Sequence, residues 1–169
     1  MEKKKNMENT KKIRIFLENK EIEKCIQMAR KRNSQSRVMG LKHKYGLEEK
    51  DGLAMDVIGC KGEFAVIKYL GIKQEITINT FKNIPDVGEY EVRSVTKPGY
   101  RLIIREKDDK EKIYILVEVG FNYCDIVGYT KGKEALKYHK ENQAGREPAW
   151  FIPQKDLRPV TELKSENLA

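Results

Sequence analysis

Apolar residues recur along this chain with two different spacings, and the change from one to the other divides it. Over 18–33, Ile22, Cys25, Ile26 and Ala29 fall three or four residues apart, which predicts an amphipathic helix with one buried stripe. Its last turn carries Arg30, Lys31 and Arg32, which suit the negative end of a helix dipole. The strongest helical pattern is 53–71, with Gly71 as its C-cap. Beyond it the spacing becomes two. Segments 89–96, 100–106, 112–119 and 123–130 read as strands, and Pro98-Gly99 between the first two is in the order of a type II turn. Segment 132–142 is predicted as a helix and 149–153 as a last strand or edge segment. The expected fold is α/β (α+β), a mixed sheet of four to five strands, largely an antiparallel meander, with the 53–71 helix on one face. Residues 1–17 read as a basic, disordered tail, 18–160 as the single domain and 161–169 as a flexible C-terminus.

Composition narrows this picture. With 36% charged residues and a mean hydropathy of −0.69, the 169-residue chain has room for one compact core beneath a highly charged surface. Its longest apolar runs, such as 113–117, are far short of the ~20 residues a membrane helix needs. The first residues carry no apolar leader core, so a soluble cytoplasmic protein is expected. Cys25, Cys60 and Cys124 have no C-x-x-C spacing and read as buried free thiols rather than a zinc or disulfide framework. His43 and His139 sit in polar, basic contexts and are read as surface residues.

Charge is unevenly distributed. Residues 1–46 hold 14 Lys and Arg against 5 Asp and Glu, a net of +9, while the whole chain is +8. Such segregation is the footprint of a segment meeting a polyanion, or else of a solubilising surface. On the first reading, nucleic-acid phosphates would be contacted by Lys3, Lys4, Lys5, Lys11, Lys12, Arg14, Arg30, Lys31, Arg32, Arg37, Lys42 and Lys44, contacts that carry no sequence information.

Two stretches suggest chemistry. On the 53–71 helix, Lys61 and Lys68 fall within about 20° of each other and define a solvent face. Glu63 lies nearly opposite, sharing the inward side with Gly59, Val66, Ile67 and Leu70. A carboxylate facing a sheet costs several kcal/mol unless a local arginine or a bound cation meets it. In the strand beginning at Glu89, alternation puts Glu89, Glu91, Arg93 and Val95 on one face and Tyr90, Val92 and Ser94 on the other. Asp86 lies five residues before Glu91, and Gly88 between them permits a turn or bulge that would bring both carboxylates together. Converging acids beside a cation suit Mg²⁺ (or Mn²⁺); the alternative is an ordinary solvated hairpin.

Pro85-Asp86 followed by Glu91-Val92-Arg93, after the helix "GEFAVIKYLG" (62–71), resembles the signature of the PD-(D/E)XK nuclease superfamily, the restriction-endonuclease-like fold. The resemblance covers roughly 59–129. Together with "DIVGYTKGKEA" and "AWFIPQKDL" it is similar to small phage and prophage members. It implies Mg²⁺-dependent phosphodiester hydrolysis of DNA: Asp86 and Glu91 holding the metal, Glu63 a second metal or a water, and Arg93 facing the phosphate. Arg93 stands where that family has lysine, and the gap between the two acids is short. Arginine can clamp a phosphate but cannot act as a base. Three readings therefore stand open: an active metal-dependent deoxyribonuclease, a catalytically inactive DNA-binding protein on the same fold, and a protein-interaction or anti-defence module acting on a host protein. Lys97 or Lys68 would be a displaced motif lysine, with Lys68 disfavoured by its position on the helix. A homodimer, and the cytoplasm of a bacterium or phage-infected host, complete the expectation.

Overall fold

The computed structural model describes residues 12–38, 49–72, 87–142 and 145–167. Helix α1 spans Asn19–Val38 and α2 spans Glu49–Leu70. The strands are β1 (Ile13–Phe16), β2 (Tyr90–Val95), β3 (Leu102–Arg105), β4 (Ile113–Val119), β5 (Tyr123–Lys131), β6 (Lys140–Glu141) and β7 (Ala149–Ile152), and α3 closes the order at Thr161–Asn167. The architecture is α+β in layers: the α1–α2 pair, a four-stranded mixed sheet in the order β1-β5-β4-β2, and a small sheet in the order β3-β7-β6.

Strand β4 shows why the layers stack this way. Its run Tyr114–Val117 is buried throughout, because alternate residues enter different cores. Ile115 and Val117 join Ala65, Val66 and Leu70 of α2, whereas Tyr114 and Leu116 join Leu102, Ile104 and Ile152 of the small sheet. A third, smaller cluster of Cys25, Ala29 and Cys60 seals α1 onto α2. All three cysteines are free and buried, as the spacing had suggested. None of the helices among the described residues is long and apolar enough to cross a membrane.

The sheet differs from the expected meander. β2 pairs in parallel with β4, Tyr90 opposite Ile113 through Val95 opposite Glu118, and β3 between them leaves for the second sheet to pair with β7. Period-two alternation reports a pleat and two faces; it does not name the neighbour. The 96–112 connection is long enough for a crossover, and the apolar run in β4 needs cover on both sides, which β3 helps to supply.

Three boundaries also move. Within the span expected as tail, Ile13–Phe16 pairs antiparallel with Tyr123–Ile126 of β5 and packs Ile13 and Ile15 against the main core. The expected flexible C-terminus contains α3, with Leu163 only 1% exposed. The helix expected over 132–142 is instead a 3-10 helix at Gly132–Lys137 followed by β6. Expected turn chemistry is present: Gly99 has φ +85°, as the third position of a type II turn needs, and Gly71 ends α2 at φ +66°.

Candidate functional site: acids closed by ion pairs

Gly62 sets the approach of α2 to the sheet. A Cβ there would lie 2.0 Å from Ser94 Oγ and 3.5 Å from Val92 Cγ1, so the helix rides directly on β2 at its glycine. The contact also shows which side of β2 faces the helix. Val92 and Ser94 do, leaving Glu91 and Arg93 to alternate away from it.

Glu63 follows Gly62 and is 7% exposed, buried as its place on the helical wheel required. Arg32 of α1 meets it in a two-pronged pair, with Nη1 donating to Oε1 at 3.2 Å and Nη2 to Oε2 at 2.8 Å. Helix geometry brings these two together. Glu21 pairs with Lys68 near one end of the helix pair and Arg32 with Glu63 further along, so α1 and α2 run antiparallel. Side chains lean toward the N-terminus of their own helix, so Arg32 and Glu63 lean toward each other. Burial pushes the Glu63 carboxyl above the usual range. Arg32 pulls it down, and the charges of Glu91 and Asp56 add to the upward push. Arg32 was an expected phosphate contact; with its side chain 11% exposed, it faces the interior instead.

Glu91 and Arg93 have counter-ions of their own. Lys112, just before β4, donates to Glu91 Oε1 at 3.0 Å. Arg93 reaches the other way, to Asp108 in the β3–β4 turn at 2.8 Å, with its guanidinium 5.0 Å from the centroid of the Tyr114 ring. Burial, with help from the Asp108 charge, pushes the Tyr114 phenol up to about 12. The Nε of Arg93 is buried with no acceptor among the described residues. Asp86 lies outside the described residues, as do Lys3, Lys4, Lys5, Lys11, Lys42 and Lys44.

Of the expected centre, Glu63 is paired with Arg32, Glu91 with Lys112 and Arg93 with Asp108, while Asp86 lies outside the described residues. Both oxygens of Glu63 are taken by a guanidinium, and no group of three or more His, Cys, Asp or Glu stands ready to hold a metal among the described residues.

Lys61, expected on a solvent face, is 8% exposed. The β4–β5 turn folds over it, and its ammonium donates to Phe121 O at 2.9 Å. Lys68 does lie at the surface, bonded to Phe16 O and Glu21, far from the motif-lysine role. Two further expected phosphate contacts are ion-paired within the chain but keep partly exposed heads, Lys12 with Glu118 at 2.6 Å and Arg14 with Asp125 at 2.8 Å. Arg30 and Lys31 are exposed on α1, and the Arg37 side chain lies outside the described set.

Sequence reasoning passed over Lys112 and Glu118. Glu118 is 6% exposed and accepts from Lys12, from the Gly99 N–H at 2.8 Å and from Gln154 at 2.9 Å. Burial opposes its ionisation, but these donors outweigh burial and hold its carboxyl below the usual range. A single acid inside the apolar run "IYILVEV" was the available signal, because a charge there requires partners. Compared with protein-family models, curated proteins and solved structures, the chain matches none.

Proposed function

We propose that the protein binds DNA without hydrolysing it, using the basic stretch that begins in α1 as its phosphate-contacting surface. The observation that carries this reading is the bidentate Arg32–Glu63 pair, in which the protein's own cation occupies both oxygens of the helix acid expected to hold a second metal or a water. The Lys112–Glu91 pair supports it in the same way.

The case for DNA rests on charge. From Lys24 through Leu47, ends included, there are seven Lys or Arg and no Asp or Glu, and Arg30 and Lys31 within that stretch are exposed on α1. Arg32, next along the helix, turns inward and ties the basic helix to α2. Of the readings open from sequence, the inactive DNA-binding protein is therefore favoured over the nuclease.

The test incubates supercoiled and linear DNA with Mg²⁺ or Mn²⁺, with EDTA controls, using wild type, Arg93→Lys and Glu91→Gln. The expected result is intact DNA in every lane. Metal-dependent cleavage by wild type that Glu91→Gln abolishes would instead establish the nuclease.

A further inference from the structure

The outer face of the β1–β5 pair sets an exposed aromatic residue beside partly exposed cations. In β1, Ile13 and Ile15 enter the core, so Lys12, Arg14 and Phe16 point the other way. Arg14 is registered opposite Asp125 and Phe16 opposite Tyr123, and registered partners share a face. The small sheet covers Tyr114, Leu116 and Val127 further across, but this edge stays open: Phe16 is 64% exposed.

On that face the Tyr123 ring lies against Gly120, where a Cβ would come within 2.6 Å of it, so only glycine admits the ring. The Arg14 guanidinium lies over the same ring, 4.2 Å from its centroid, and donates through Nε and Nη2 to the two oxygens of Asp125 at 2.8 and 3.0 Å. This fixes a planar cation over the half-buried Tyr123 ring, on the same face as the exposed Phe16. The acids lie beneath and the cations above. The Arg14 side chain is 52% exposed over Asp125 at 14%, and Lys12 is 37% exposed over Glu118 at 7%.

We infer that this face is a stacking platform for single-stranded nucleic acid, a reading that rests on the DNA-binding function above and specifies its ligand. Unpaired bases stack on aromatic rings and on guanidinium planes, while phosphates meet the flanking cations. A duplex keeps its base faces inside its own stack and cannot use Phe16 in this way. An apolar protein surface on the same strip would bury the Arg14–Asp125 and Lys12–Glu118 pairs without giving the cations new partners, at a desolvation cost. A nucleic acid strand supplies both kinds of partner.

The experiment is fluorescence anisotropy with oligothymidine of about 12 nucleotides, within the usual single-strand site range, and with a duplex of equal length. The variants are Phe16→Ala, at an exposed position, and Arg14→Lys, which keeps the charge and removes the plane. Each is expected to weaken single-strand binding about five-fold or more, leaving duplex affinity and the log–log salt slope unchanged. If both variants bind oligothymidine as wild type does while Arg30→Gln/Lys31→Gln weakens both DNA forms, the platform is overturned and the DNA-binding reading stands. If wild type binds neither form, both fall. If Phe16→Ala instead converts a sedimenting dimer to monomer, the face belongs to a second copy of the chain and the platform is overturned.

Discussion

Arg32 and Glu63, thirty-one positions apart, form a nearly buried bidentate ion pair that joins the basic helix α1 to the helix acid of the candidate site. Removing one member of such a pair leaves a charge buried without a partner, which costs about 3–5 kcal/mol. Arg32→Ala should therefore lower stability by that order in urea unfolding. The apolar pair Arg32→Met/Glu63→Leu should recover most or all of it. A single-variant loss below about 1 kcal/mol would show that the pair is open to solvent. If Glu63 is a concealed metal ligand, Arg32→Ala should also acquire Mn²⁺ affinity measurable by calorimetry; DNA binding without a metal role predicts none.

The seat of α2 on β2 depends on a missing methyl group. Gly62→Ala would push a Cβ to 2.0 Å from Ser94 Oγ, and overpacking of this kind costs about 1–3 kcal/mol. Gly62→Ala/Ser94→Ala should restore part of that stability, since it removes the nearest atom while Ser94 Cβ, at 3.2 Å, still crowds the site. The check is the thermal midpoint of wild type and the two variants. An unchanged midpoint for Gly62→Ala would mean that the helix does not ride so closely on the strand.

Glu118 should make stability dependent on pH in a definite direction. Its carboxyl is held below the usual range, so the folded state binds its proton less readily than the unfolded state does. The stabilisation is present above the ordinary carboxylate pKa of about 4.3 and is lost as pH falls through the lowered folded value. The gap in thermal midpoint between wild type and Glu118→Gln should be widest near pH 7 and close in acid. A gap that does not vary with pH would mean that the ionised carboxylate has no such part.

Much of the framework was legible before folding because it is local. The stripe of Ile22, Cys25 and Ala29, the cap at Gly71 and the turn at Gly99 depend on residues a few positions apart, and the buried direction of Glu63 follows from helix period alone. What was not legible is who stands opposite. The partners of Glu63, Glu91 and Arg93 lie 31, 21 and 15 residues away, on elements whose placement depends on the sheet order. Lys61 makes the same point. Its angle on α2 was right for solvent, but the Phe121 turn, 60 positions on, closes over it. The parallel pairing of β2 with β4 was hidden for a related reason, because alternation reads the same beside either neighbour.

The most direct measurement of the central claim is the salt dependence of duplex DNA binding in EDTA, for wild type and Arg30→Gln/Lys31→Gln. Both residues are exposed on α1, outside the ion pairs that hold the fold. Wild type should bind without any divalent metal. The double variant should bind more weakly, with its log–log slope reduced in magnitude by about 1.8, which is about 0.9 for each phosphate that the protein no longer neutralises. A slope unaltered by the double variant, or binding that emerges only when Mg²⁺ or Mn²⁺ is added, would contradict it.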